Sequence, residues 1–111
     1  MKAVRPDEID TAKTPIVDVR LRPGKQQIAG ALRYDPACLL RATPLVLPFA
    51  HDSTIAVYGD SDSVVDATVR KLHESGYGDA APLQGGIEAW HDAGLPLEET
   101  SLEQPVPASG L

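Results

Sequence analysis

The sequence predicts an α/β domain built on a parallel-rich sheet, and three observations predict it. Two short β-branched runs, Pro15-Ile16-Val17-Asp18-Val19 and Thr54-Ile55-Ala56-Val57-Tyr58, are bounded by turn formers and read as buried strands. A helical pattern follows over residues 63–75, where Val65, Val69 and Leu72 recur at i, i+4 and i+7 and put one apolar stripe against a core. Strands alternating with helices need crossover connections, which run the strands parallel. A chain of 111 residues, 42% hydrophobic and 23% charged, has the size and composition of one domain with one core.

The elements follow in order. Arg5-Pro6-Asp7-Glu8 places proline at a first helical position with acids at the positive end of the dipole, and predicts a short helix. Asp35-Pro36 reads as an N-cap and first helical residue leading into Ala37, Cys38, Leu39 and Leu40; Pro44 and Pro48 forbid a long continuation. In the main helix, Ser63 and Asp66 have the spacing of a capping box, and Gly76 stands where a left-handed residue ends a helix. A short strand is expected around Pro82-Leu83, then Gly85-Gly86, then a helix from Ile87 to Ala93 stopped by Gly94 and Pro96. The division expected is a folded part over residues 1–97 and an acidic, mobile tail over 98–111, which holds no basic residue and no periodicity.

Composition excludes several functions. With Cys38 as the single cysteine, neither an intramolecular disulfide nor a zinc site built on several thiolates can form. Apolar stretches such as Leu45-Val46-Leu47 fall far short of the roughly 18 residues of a membrane span, and the first residues hold no signal-peptide apolar region, so a cytoplasmic location is expected. The net charge of −6 is divided between +2 over residues 1–55 and −8 over 56–111, and an acidic second half argues against nucleic acid as a partner.

Four stretches in order resemble the motifs of one family. They are Ile16-Val17-Asp18-Val19-Arg20 with its D-x-R signature, the turn Ile28-Ala29-Gly30-Ala31, the strand ending at Tyr58, and a long C-terminal set. That set is Gly76-Tyr77, Leu83-Gln84-Gly85-Gly86-Ile87, Ala89-Trp90 and Gly94-Leu95-Pro96. Together they resemble the rhodanese-like (rhodanese-homology) domain family over roughly residues 5–97. The resemblance implies a single domain with a central, mostly parallel five-stranded sheet and helices on both faces. In active members a cysteine follows the strand that here ends at Tyr58 and opens a six-residue loop whose amides converge on the sulfur. Such amides and a helix dipole lower a thiol pKa and cradle an anion.

Counted back from Gly76-Tyr77 by the family's spacing, the cysteine position falls on Gly59, and the loop reads Gly59, Asp60, Ser61, Asp62, Ser63, Val64. The nucleophile and the basic residue that often closes the loop are both absent. Two carboxylates, Asp60 and Asp62, are expected where an anion would approach, at a repulsive cost of about 1–4 kcal/mol. Gln27 takes the place of the turn's usual histidine, and the connection from Asp18 to Ile28 is about two residues shorter than usual. By the resemblance, Asp18 and Arg20 buttress the loop region through hydrogen bonds.

Each sharp reading has a plain alternative. Cys38 is either a displaced sulfur carrier near a helix start or, as its apolar neighbours favour, a small packed side chain. Ser61 and Ser63 lack a histidine base in the loop and read as turn and cap residues. Asp60, Asp62 and Asp66 have hard-ligand chemistry without the spacing of a calcium loop, and His51, His73 and His91 show no metal-ligand spacing, so no metal and no cofactor is expected. Trp90 reads as a core or lid aromatic, and Gly85-Gly86 lacks the lysine of a phosphate loop. The expectation is a non-catalytic interaction, regulatory or scaffolding module with a protein partner. The alternatives are a sulfurtransferase working through Cys38 or a partner's persulfide, and a sensor whose 59–64 loop takes a neutral or cationic molecule.

Overall fold

A computed structural model describes residues 3–10, 13–43 and 45–102. A 3-10 turn, Pro6–Glu8, opens the chain, followed by β1 (Ile16–Asp18), β2 (Gln26–Ile28), β3 (Leu32–Arg33), α1 (Pro36–Arg41), β4 (Ile55–Tyr58), α2 (Asp62–Glu74), β5 (Ala80–Pro82), α3 (Gly86–Asp92) and β6 (Leu97–Glu99). The central sheet has the order β3-β1-β4-β5, and every neighbour is parallel. It holds four strands rather than five. An isolated parallel bridge between Val4 and Leu83 extends one edge, while β2 and β6 form a separate antiparallel pair.

Strand alternation divides the core in two. Val17 and Val19 of the β1 segment, with Ile55 and Val57 of β4, point to the face covered by α1 and α2, where Leu39, Val69, Leu72 and Tyr77 are buried. Ile16, Ala56 and Tyr58 point to the other face, against Ile28, Leu83 and Trp90 of α3. A sheet buried on both faces needs near-continuous apolar strands, which is why β4 reads Ile-Ala-Val-Tyr without a polar residue. Trp90 closes the α3 face by donating its indole N–H to the Pro96 carbonyl at 2.8 Å.

The helix ends show local sequence at work. Asp35 caps α1 by accepting the amides of Ala37 and Cys38, with Pro36 at the first helical position. α2 begins earlier than its sequence suggests: Ser61, not Ser63, is the N-cap, and its hydroxyl accepts the Val64 amide. Gly76, at φ +99, ends α2 as expected of a left-handed terminator.

The 97/98 boundary falls inside a strand. Glu98 and Glu99 belong to β6, paired with Gln27 and Gln26, and the Thr100 amide donates to the Lys25 carbonyl at 3.0 Å. The ladder to β2 supplies the partner that the segment's composition does not reveal. The rest of the expected tail, residues 103–111, lies outside the described residues.

The turn into α3 gives a stability test. Gly85 has φ +75, and a Cβ there would lie 2.5 Å from the Ala89 Cβ; Gly86 has φ +60 with nothing within 4 Å of its Cβ position. Both alanine variants meet the left-handed penalty of about 1–2 kcal/mol, and only Gly85→Ala adds a clash. Thermal melts will show Gly85→Ala with the clearly larger fall in Tm.

Candidate functional site

The switch point of the sheet lies where β1 is flanked by β3 on one side and β4 on the other, and crevices at the carboxyl ends of such strands form the binding sites of open α/β folds. The carboxyl ends of β1 and β4 carry Asp18, Arg20, Tyr58 and Gly59. Asp18 is fully buried, and Arg20 is nearly so. The Arg20 guanidinium grips the carboxylate with Nη2 at 2.7 Å and Nε at 2.9 Å from Oδ2, while the Arg20 amide donates to Oδ1 at 2.9 Å. Tyr58 donates its phenol to Asp18 Oδ2 at 2.7 Å and accepts the Ile28 amide at 3.2 Å. Arg20 Nη2 also donates to the Gln26 carbonyl at 3.2 Å.

Burial, then the negative charge and hydrogen bond of Asp18, push the Tyr58 phenol well above its ordinary range. Burial alone would lower the Arg20 pKa, but the hydrogen bond and charge of Asp18 outweigh it and leave the guanidinium raised.

Beside this network opens a pocket of about 640 Å³, walled by Gly59, Asp60, Ser61, Val65, Gly85 and the acids Asp62, Asp66 and Glu88. Its described lining contains no Lys, Arg or His. Of the six loop residues, Asp62, Ser63 and Val64 form the first turn of α2. The Val64 amide goes to the Ser61 hydroxyl, and the Val65 amide to the Ser61 carbonyl at 3.1 Å. Ser61 Oγ and Ser63 Oγ lie 3.3 Å apart.

Asp60 has a role that spacing could not show. Its Oδ2 accepts the Leu21 amide at 2.7 Å and the Arg22 amide at 3.1 Å, so this carboxylate staples the β1–β2 connection and is electrostatically shared with Arg20. Asp62 remains exposed at the start of the helix. A Cβ at Gly59 would lie 3.0 Å from Val19 Cγ2 and 3.2 Å from Val65 Cγ2, tight enough that the neighbours must move. Its φ lies outside the left-handed region, so crowding rather than backbone strain opposes a side chain.

Cys38 does not join these residues. It lies on α1, outside the pocket lining, and is exposed, which overturns the packed reading. Leu39 takes the buried position on this short helix and turns its neighbours outward. Gln27 is fully buried with both ends of its amide engaged: Nε2 donates to the Ala31 carbonyl and to Glu98, and Oε1 accepts from the Ser101 amide and hydroxyl. His51 stacks on Tyr77 at 4.3 Å, His73 Nε2 lies 2.8 Å from the Ala80 carbonyl, and His91 is exposed beside Asp92. Among the described residues no three His, Cys, Asp or Glu side chains are placed to hold a metal, and no helix is long and apolar enough to cross a membrane.

Tyr58→Phe removes one hydrogen bond to the buried carboxylate and leaves the Ile28 amide without its acceptor, at an expected cost of about 1–3 kcal/mol. Because the folded phenol titrates above its unfolded value of about 10, its contribution is complete below that pH and is lost as pH rises through the folded value. Melts between pH 8 and 11 will show the loss of stability above about pH 10 reduced in the variant.

The family model described as the rhodanese-like domain matches residues 6–93. Among solved structures, thiosulfate sulfurtransferase from Pseudomonas aeruginosa superposes with a TM-score of 0.72 at 25% identity, over 87% of this chain and 20% of that protein. This chain therefore spans about a fifth of that enzyme. A Rhodanese_3 like domain from Anabaena sp. is 30% identical, with a TM-score of 0.64 over 83% of this chain and 95% of its own. A rhodanese-related protein from Thermoplasma volcanium shares the fold at 19% identity, with a TM-score of 0.69 over 88% and 98%. No curated protein matches the chain. A match over most of the sequence, with the buried D-x-R pair and the glycine turn into α3 in place, shows that this chain belongs to the rhodanese-like domain family.

Proposed function

We propose that this domain is a non-catalytic binding module: it keeps the family's scaffold around the pocket, with Gly59 at the position of the family's cysteine. The observation that carries the reading is the connection from β4 to α2. It begins at Gly59 and becomes helix by Asp62, with the Val64 and Val65 amides already bonded to Ser61. Sulfur transfer by a rhodanese-type route needs a thiolate that takes up a sulfur atom and amides that hold the resulting charge. This pocket offers no thiol, and its acids Asp62, Asp66 and Glu88 oppose an incoming anion. The reading therefore favours a neutral or cationic group, such as a basic side chain of a protein partner, over thiosulfate.

One observation favours a second reading. Cys38 is exposed, so a sulfurtransferase role through that thiol, outside the pocket, stays chemically open.

A thiosulfate-to-cyanide assay separates the two. The wild-type chain is expected to transfer sulfur no faster than buffer, with Cys38→Ser indistinguishable from it. Turnover that disappears in Cys38→Ser would replace the binding reading with the enzymatic one. Gly59→Cys is expected to fold with a lowered Tm, since the added atoms press on Val19 and Val65, at a cost of about 1–3 kcal/mol. Val65→Ala in the same chain relieves part of that loss. Neither variant is expected to gain transfer activity while Asp62, Asp66 and Glu88 oppose an incoming anion.

A further inference from the structure

Arg33, at the end of β3, is only 7% exposed, yet it is paired with no carboxylate among the described residues. Its Nη1 donates to the Ser101 carbonyl at 2.6 Å, and its Nε is sealed from solvent with no acceptor at all. A buried guanidinium held by one carbonyl is under-satisfied, because its desolvation is normally offset by an anion that takes two of its N–H groups. The nearest buried acid by register, Asp18, is already engaged by Arg20 and Tyr58.

What covers Arg33 is the strap formed by residues 97–101. Three residue pairs join it to β2, and the Thr100 amide and hydroxyl donate to the carbonyls of Lys25 and Gly24. Gln27 takes the Ser101 amide and hydroxyl. Leu97 packs on the α3-side core, whereas Glu98 and Glu99 are exposed. A segment held mainly by hydrogen bonds at a sheet edge opens more readily than one held by buried apolar surface. Opening it would bare the β2 edge, the Gln27 amide and the Arg33 guanidinium together.

We propose that β2 is a strand-addition site for an extended protein segment that brings a carboxylate to Arg33, and that the strap holds this site closed in the chain alone. Main-chain bonds to β2 would give the segment its affinity, and Arg33 its selectivity for an acid. The strap satisfies the first requirement and, at Arg33, only half of the second. The proposal does not depend on the pocket beside Gly59 and stands or falls separately.

The test uses the full chain carrying Thr100→Pro, which deletes the strap's amide bond to Lys25, and synthetic peptides with the sequence of residues 97–102. One peptide is unchanged; two carry aspartate in place of Ser101 or of Leu102. Binding is read by titration calorimetry and by NMR shifts of the Gln27 and Ile28 amides. The unchanged peptide is expected to bind, at least one aspartate peptide to bind about tenfold tighter, and that advantage to vanish in Arg33→Gln. Absence of binding, equal binding by all three peptides, or an advantage that survives Arg33→Gln would overturn the proposal. A concentration-dependent dimer of Thr100→Pro without peptide binding would also overturn it, by assigning the edge to a second copy. Should Thr100→Pro fail to fold, the same aspartates are placed in the otherwise intact chain. At least one should then raise Tm, and lower it when Arg33→Gln is added; a fall in both backgrounds would overturn the proposal.

Discussion

The buried Asp18 carboxylate is the constraint around which the rest of the structure is arranged. A charge sealed beneath a parallel sheet is tolerated only with good partners, since removing one from such a pair costs several kcal/mol. Asp18 draws its partners from two places. Arg20, on the continuation of its own strand, gives both its guanidinium and its backbone amide, and Tyr58 comes from the neighbouring strand. Each partner then reaches onward: Arg20 to the Gln26 carbonyl and Tyr58 to the Ile28 amide. The short strand β2, which joins no strand of the central sheet, is positioned through these bonds, and β6 is built upon it.

The same network holds the pocket open beside Gly59. Tyr58 immediately precedes Gly59, so the bonds that satisfy Asp18 also fix where β4 ends and where the chain turns toward α2. Asp60 secures the opposite wall by accepting two amides of the β1–β2 connection. These are stability requirements, and they hold whatever occupies residue 59. The character of the cavity then follows from its lining, in which four carboxylates, Asp60, Asp62, Asp66 and Glu88, stand beside Gly59, Gly85 and Gly86.

What could be read from the sequence, and what could not, follows the range of the forces involved. β1, β4 and the three helices were legible because their signals are local: a β-branched run, an apolar stripe, Asp35 before Pro36, Gly76 after α2. β2, β3 and β6 were not, because two or three residues such as Gln26, Gln27 and Ile28 carry no periodicity, and their pairing depends on bonds to Arg20, Tyr58 and Ser101. The polar tail composition likewise concealed a strand held mainly by its pairing with β2. At the site, Asp18 and Arg20 were legible as a pair. The direction taken by Asp60 and the identity of the α2 cap were not, since two serines and two aspartates within four positions leave the choice to the path of the chain. Cys38 faces outward because the inward side of so short a helix is taken by Pro36 and by Leu39, one residue on from Cys38 and about 100° around.

The uneven charge of the sequence also finds its explanation inside the molecule. The basic first half places Arg20, Arg22, Lys25 and Arg33 in or beside the β1–β2 connection and β3, and the acidic second half sends residues back to that region from two directions. Asp60 reaches it from the end of β4 by taking the amides of Leu21 and Arg22, and Glu98 reaches it from β6 through Gln27. Asp60 thereby adds its negative charge to the field at Arg20. Elsewhere the pocket lining gathers Asp60, Asp62, Asp66 and Glu88 with no Lys, Arg or His, while the buried Arg33 Nε lies beneath the strap without an acceptor. The carboxylates of the pocket lining therefore disfavour an anion there, while the buried guanidinium under the strap disfavours a cation.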